Sequence, residues 1–589
     1  MVCLLPCMTE EIMDKKTDGN IRKIRLGLPL LIGAACALTF CFFSVTEVFA
    51  GNRAELLFNL KDFIWWILFA AVCVTVIAAA LIAVPRGKAS RIVGAVFVWL
   101  TVMGWAQGTF LNSSSGLAGD DREAFELGTP AVINLLIWIA ALAGILFAAL
   151  KLKEESLQTA AAVLMIAVIG MQAVGFLTNL PRITKDRFAM AAEEGEGTDD
   201  NDMLIAASYL SIDGMTETAS KNNVYVLILD RLDVYYVENI MKEDPDFFAP
   251  LSGFTYYNDN LSLYSRTFPA AATIIAGQDG DLKPSNETFF RTVYGTSPLL
   301  KDLKDNGYKI KLYAPSYYAY RSGRSLYGIA DNMASYTGYH VDRPADLSAD
   351  LLLLSVYKAA PMLLKPVFEI STGTFENYVT YYASSPQAGW DDFGFYQVLT
   401  EKGLSDGAYE NAYTYLHFHG AHDPYEIDEN VQKVEKGSAN GQVKGDFRIL
   451  YELFDQLKTK GLYEQATIII TGDHPRAHSD SKVPTQARVT ALFVKEAGRS
   501  DEPFAVSTAQ VSQENLAATI VKSAGLATTH DYGPAYSEVP EGVDQVRYHQ
   551  FQQVTDAGNI ILRYRVEGPG NDFKNWSIDS EINIGKLYK

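Results

Sequence analysis

A chain of 589 residues is too long for one core, so at least two folding units are expected. Its formal charge of −19 argues against a nucleic-acid partner. All five cysteines, Cys3, Cys7, Cys36, Cys41 and Cys73, come early, which leaves the bulk of the chain without a disulfide framework or a cysteine metal site.

Apolar residues make up 48% of the chain and crowd its start. Five runs, roughly 26–48, 63–84, 92–111, 130–150 and 157–178, each approach the ~20 residues that cross a bilayer core as a helix. Stretches such as FIWWILFAAVCVTVIAAALIAV have no polar face, unlike a buried helix of a soluble domain. The first run is too long for a cleaved signal peptide, and four more follow it. Lys15, Lys16, Arg22, Lys23 and Arg25 precede the first run, Arg86, Lys88 and Arg91 separate the second and third, and Lys151 and Lys153 separate the fourth and fifth. The loop NSSSGLAGDDREAFELGT is acidic instead. Basic loops stay in the cytoplasm, so five crossings put the remainder outside, although Arg182, Lys185 and Arg187 oppose this assignment. The expectation is a multi-pass protein of the cell membrane: an anchor over 1–180, a polar, glycine-dotted linker over 181–221 with room for one helix, a catalytic domain over 222–530 and a β-rich extension over 531–589.

After the linker the rhythm changes. VYVLILD (224–230) is continuous and β-branched, as in a strand buried on both faces. SPLLKDLKDNGY (297–308) has Ser297 as cap, Pro298 in the first turn and Gly307 as stop, and YKIKLYA (308–314) follows as a strand. YTYLHFH (413–419), ATIIITGDH (466–474) and VTALFVK (489–495) read as further strands. DFRILYELFDQLKTKG (446–461) and ENLAATIVKSAGL (514–526) read as helices between and after them. The alternation predicts an α/β fold with a mixed, mostly parallel sheet covered by helices. RYHQFQQV and NIILRYRVEG suggest a terminal β-hairpin.

In such sheets ligands bind beyond the carboxyl ends of the strands. Asp230 ends one strand there, and Asp473 with His474 ends another. A lone aspartate after a strand is more often a turn residue or helix cap; two of them, one beside a histidine, suit a divalent ion that takes mixed oxygen and imidazole ligands. In SRTFPAAATIIAG (265–277), Pro269 makes Phe268 non-helical and begins a helix, so Thr267 sits just outside a helix N-terminus. Thr267 is either a capping threonine or a nucleophile whose hydroxyl pKa a metal ion would lower.

Three segments resemble the alkaline phosphatase/sulfatase superfamily. Thr267, Pro269 and Gly277 keep the spacing of the sulfatase C-x-P-S-R motif and its terminal glycine, with Thr in place of the cysteine and Ala270 and Ala271 in place of the Ser and Arg. HFHGAHDPY (417–425) is similar to the H-x-x-G-S-H-x-P segment of phosphoethanolamine transferases, with His417, Gly420, His422 and Pro424 in register. TGDH (471–474) matches the superfamily's Asp-His pair. A threonine nucleophile behind a membrane anchor resembles the branch of lipoteichoic acid synthases and phosphoethanolamine transferases. The likeness covers roughly 220–530 and, more loosely, the anchor.

The resemblance implies Asp230, Thr267, Asp473 and His474 as ligands of one divalent metal, manganese or zinc with magnesium or calcium as alternatives. It makes Thr267 the nucleophile, and His422 a proton donor or second-metal ligand facing the substrate. Arg231 after Asp230, where many sulfatases have a second Asp, favours one metal over two. His417, His419, Arg266, Arg321 and His478 are candidate substrate contacts; His478 is otherwise another ligand or a surface histidine. Arg321 and Arg324 stand among tyrosines in YAPSYYAYRSGRSLYG (313–328), a composition that suits a sugar or phosphate and equally a packed loop. The implied activity is an extracytoplasmic phosphotransferase or hydrolase acting on phosphodiester groups. Its donor is a phospholipid head group in the bilayer, and its acceptor a cell-envelope polysaccharide or water. A sulfatase-like ester hydrolase and a non-catalytic glycan-binding relative are the alternatives.

Overall fold

The computed structural model describes all residues except 1–26, 54–55, 57, 113–128, 185–207, 283–285, 321–322, 369–371, 477–483, 485, 556–557 and 586–589. The acidic 112–129 loop therefore lies almost wholly outside the described residues, as do the basic segment before the first run, most of the linker, Arg321 and His478.

Five helices are long and apolar enough to cross a membrane: Gly27–Gly51, Ile64–Ala83, Lys88–Leu111, Thr129–Lys151 and Glu154–Thr184. They coincide with the five expected runs, and the last extends a few residues past its apolar stretch, through Pro181, to Thr184. Their large side chains, among them Trp65, Val72, Leu136, Phe147 and Val174, face outward, an apolar surface of the kind that marks a membrane or protein interface.

The second unit is built on an eight-stranded sheet. In spatial order its strands are Ala505–Ser507, Thr255–Leu261, Thr490–Lys495, Thr467–Thr471, Asn222–Leu229, Asn411–Phe418 and Tyr308–Tyr313, with Val511–Ser512 also pairing Thr255–Leu261. Only Thr490–Lys495 runs against the rest. This is the mixed, mostly parallel sheet that the sequence leads one to expect. The central strands are continuous apolar runs because helices cover both faces: Asn222–Leu229 buries every residue after its first. Helix Pro298–Asp305 starts as its sequence dictates, with Ser297 Oγ accepting from Leu300 N at 3.0 Å.

Three elements differ from their sequence expectation. The helix expected from 446 begins at Ala439, capped by Ser438; Gly441 and Gly445 in its first turns lower helix propensity and hide the start. Gly445 is needed there because a Cβ would come 2.4 Å from the Asp428 carbonyl oxygen. The terminal hairpin is a three-stranded antiparallel sheet, Val546–Thr555, Gly558–Glu567 and Trp576–Gly585. Within the expected linker, Ser208–Leu210 pairs with Met333–Val341, and Glu217–Thr218 with Ser405–Asp406, so its last residues belong to the folded body.

Two junctions position the site. The C-terminal sheet grips the segment before Thr267: Gln550 N donates to Leu263 O at 2.7 Å, Ser265 N to Gln550 O at 3.1 Å, and Gln552 N to Ser265 Oγ at 3.1 Å. The buried Arg547–Asp259 pair, at 2.9 Å, fastens the same sheet to the core. The other junction is helix Pro344–Ala359, which docks on the five-helix bundle. Its Leu347, Leu351 and Leu354 share one apolar cluster with Val45, Phe49 and Ile67 of the first two spans and Phe58 between them. Buried Lys358 pairs with Glu47 at 2.6 Å, and Asn112 Nδ2 donates to Lys358 O at 2.8 Å. The domain thus sits at the end of the bundle opposite Arg86, Lys88, Lys151 and Lys153.

Candidate active site

Three adjacent strands deliver Asp230, His417 and Asp473 to one point. In the parallel ladder Ile228 stands opposite both His417 and Thr471, so Asp230 and Asp473 each emerge two residues beyond that level. The turn after Phe418 wraps the Asp230 backbone: Asp230 N donates to Phe418 O at 3.2 Å, and Ala421 N to Asp230 O at 2.7 Å. Gly420, at φ +62°, makes this approach feasible, because a Cβ there would lie 2.4 Å from both Asp230 N and O. Gly420→Ala combines a left-handed alanine, costing about 1–2 kcal/mol, with a clash that only backbone movement relieves. We expect a lower melting temperature and a loss of turnover of about a hundredfold as Asp230 shifts, checked by thermal unfolding and ester hydrolysis.

Thr267 arrives from the other side. Arg266 and Phe268 are both extended, the latter at φ −92° and ψ 124°, as Pro269 requires of the residue before it. The helix then runs through the interior on Ala270, Ala271 and Ala272, all fully buried, and stops at left-handed Gly277. Thr267 Oγ1 lies 3.2 Å from Asp230 Oδ2 and 3.3 Å from His474 Nε2. His474 Nε2 is 3.7 Å from Asp230 Oδ1 and 3.8 Å from Asp473 Oδ2, and His417 Nε2 is 3.4 Å from Asp230 Oδ2.

Hydrogen bonds fix which atoms are free. His474 Nδ1 donates to Pro475 O at 2.7 Å, leaving the Nε2 lone pair facing the centre. Asp473 Oδ1 accepts from Arg231 N at 3.0 Å and His474 N at 2.8 Å. To present that N–H, Arg231 takes the left-handed conformation at φ 59°, which costs of order 1 kcal/mol. Asp230 Oδ1, Asp473 Oδ2 and His417 Nε2 are buried without a hydrogen-bond partner. Asp230, His417 and Asp473 each present a ligand atom within 4.8 Å of the others. Orphaned carboxylate oxygens beside imidazole nitrogens are the donor set of a borderline divalent cation such as zinc or manganese, so the residues fit a metal. Burial alone would raise the Asp230 carboxyl, but the His417 contact and the neighbouring His474 and His422 imidazoles hold it below the usual carboxylate range. Burial and the neighbouring Asp230 charge push Asp473 up.

His422 is half-buried at the rim, its Nδ1 donating to Asp423 O at 2.6 Å, so Nε2 is the atom left to exchange a proton. His417 and His419 diverge because the strand ends at Phe418: His417 joins the carboxylates, while His419 meets Trp390 at a 60° tilt, ring centroids 5.3 Å apart. Arg266 is exposed next to Thr267.

Sequence reasoning missed Trp390. Its ring also lies within 5.9 Å of His417 and 5.7 Å of His422, and Tyr318 stacks on it at 5.3 Å. An aromatic just ahead of the Asp391 N-cap, in AGWDDF, is the one local signal, and it does not point to a site two strands away.

Behind the His419–Ala421 turn lies a buried acid pair. His419 N donates to both Asp392 oxygens, at 3.1 and 3.0 Å, and Gln442 Nε2 donates at 3.0 Å to Asp392 Oδ2 and to Asp446 Oδ1. Burial pushes Asp392 up to about 6, and burial with the Asp392 charge pushes Asp446 well above the carboxylate range, so the folded pair binds a proton more readily than free carboxylates do. A folded state that takes up this proton is stabilised by the pair at low pH, and that contribution is lost as pH rises through the unfolded value near ~4 to about 6 and beyond. Asp446→Asn removes the second acid beside Asp392 and keeps the side-chain shape. Its melting temperature is expected to gain on that of the unmodified protein as pH rises from about 5 to 8, with turnover retained.

No model of a known protein family matches the sequence, and a search of curated proteins finds no relative. Solved structures do resemble it. An alkaline phosphatase superfamily protein from Vibrio parahaemolyticus is 14% identical, over 67% of this chain and 88% of that one, with a TM-score of 0.39. The lipoteichoic acid synthase LtaP from Listeria monocytogenes is 12% identical, over 65% and 91%, with a TM-score of 0.31. The phosphonate monoester hydrolase SpPMH from Silicibacter pomeroyi is 12% identical, over 62% and 89%, with a TM-score of 0.34.

Proposed function

We propose that this chain is a membrane-anchored, metal-dependent enzyme that moves or hydrolyses phosphodiester-linked groups through Thr267. The observation that carries the reading is the convergence of the Thr267 hydroxyl with Asp230, Asp473, His474 and His417, where three ligand atoms have no partner. Asp230, Asp473 and His474 would hold the ion, with His417 beside them. The ion would supply the charge that ionises a hydroxyl at neutral pH and screens charge on the phosphoryl oxygens.

Thr267 Oγ1 forms the new bond to phosphorus as the bond to the leaving oxygen breaks, giving a phosphothreonine ester. His422 Nε2 gives the leaving oxygen its proton. It then takes one from the acceptor hydroxyl or water that attacks the ester and frees Thr267. Trp390 and Tyr318 offer flat apolar faces beside this path, suited to a sugar or glycerol moiety. The donor is a phospholipid head group and the acceptor an envelope polysaccharide or water, with the domain outside the cell. Supporting that side, the domain caps the bundle end away from the basic loops.

The test uses the full chain in detergent with manganese or zinc. Bis(nitrophenyl) phosphate is expected to turn over and nitrophenyl sulfate to do so at least tenfold more slowly. The reverse order assigns a sulfatase, and no turnover of either ester with metal bound overturns the enzyme reading.

A further inference from the structure

At the end of the bundle away from the catalytic domain, all five spans surround a cavity of about 750 Å³. Its volume falls within the ~300–1,000 Å³ of ligand sites. Its inner wall reaches Ile32, Ile82 and Val98, which belong to the core shared by the spans, so an occupant lies inside the bundle and not on its perimeter. The space exists because small residues meet there, Gly94 and Ala95 from the third span, Ala148 and Ala149 from the fourth and Ala161 from the fifth.

The mouth is polar and cationic. Arg91 straps the opening, its Nη2 donating to Leu152 O at 2.6 Å and its Nε 3.5 Å from Glu154. Arg86 also lines the mouth, is exposed, and makes no ion pair among the described residues. Lys88, Lys151 and Lys153 are exposed within two residues of lining residues Arg86, Ser90 and Leu152, so five cations and two carboxylates, Glu154 and Glu155, gather at this end of the bundle. An apolar chamber opening onto surplus positive charge at the interface matches one ligand class, an amphiphile with an anionic head. A neutral apolar ligand would leave the cations unused, and a soluble anion would leave the apolar wall unfilled.

We propose that this cavity is a binding site for an anionic phospholipid of the leaflet at the basic end, its acyl chains between the spans and its phosphate against Arg86. The site is distinct from the proposed active site, from which the length of the bundle separates it, and it stands whatever reaction that site performs. The bound lipid completes the packing that Gly94 and the alanines leave open, and so ties the five spans together.

The full chain, purified in detergent and incubated with equimolar phosphatidylglycerol and phosphatidylcholine, is examined by native mass spectrometry. One phosphatidylglycerol per chain is expected, enriched at least tenfold over phosphatidylcholine. Ala161→Phe fills the chamber and should abolish retention of either lipid. Arg86→Gln keeps the chamber and should cut the enrichment to twofold or less. Gly94→Leu fills the space from another wall and stands in if Ala161→Phe does not fold. Equal retention of the two lipids by the unmodified chain, or retention that survives the filling variants, overturns the proposal and assigns the lipid to the bundle's outer surface.

Discussion

Thr267→Ala is expected to lower turnover by about ten-thousand-fold or more while leaving the fold and the ion in place, the scale seen when an essential nucleophile is removed. The side chain contributes one hydroxyl and one methyl to a wall already set by Asp230, His474 and the helix behind Pro269. Its loss costs little packing, and melting temperature should stay close to that of the unmodified chain. Thr267→Ser keeps the oxygen and should retain a measurable fraction of turnover. The covalent ester gives a second readout: the peptide over 265–277 should gain the mass of the transferred group in the unmodified protein and not in the alanine variant. Turnover of the alanine variant within tenfold of the original would place the nucleophile elsewhere.

Removing the ion is the other large perturbation. Without a cation, Asp230 and Asp473 face each other with orphaned oxygens in a buried site, and Asp473 is driven toward its protonated form. Chelation should therefore abolish turnover and lower the melting temperature. An ion held at a hundred times its dissociation constant stabilises the folded state by about 2.7 kcal/mol. Asp473→Asn separates the two effects. The amide oxygen can still accept from Arg231 N and His474 N, so the loop keeps its shape, while a ligand oxygen is replaced by nitrogen. Metal content and turnover should fall together. The chelated variant should be more stable than the chelated original, increasingly so as pH rises, because it lacks a buried acid whose raised pKa costs stability above the unfolded value. A chelator that leaves both melting temperature and turnover unchanged would refute metal dependence.

How much of this was legible depends on range. Parallel strands buried on both faces leave an unbroken β-branched run, so Asp230 and Asp473 could be placed at strand ends from their neighbours alone. Thr267 was placed by Pro269, whose ring dictates the geometry of Phe268. The direction of Thr490–Lys495 left no local trace, because a buried antiparallel strand inside a mostly parallel sheet has the same composition as its neighbours. Trp390 was invisible for a different reason. It reaches the three histidines through a loop whose course is fixed by the Met333–Val341 and Val379–Ala383 pairing, and nothing in AGWDDF encodes that pairing. His417 was singled out by its motif, yet its place beside Asp230 follows only from the register of two strands nearly 190 residues apart.

The clamp formed by Pro344–Ala359, with Lys358 locked onto Glu47, fixes the candidate site at one height above the five-helix bundle. A body on a loose tether would sweep a volume; this one is held at a fixed distance from the helices. The same clamp makes the soluble half a poor traveller on its own. Severed after the fifth crossing, it would bare Leu347, Leu351, Leu354 and Phe375 to water, and such a shed fragment would clump or cling to membranes.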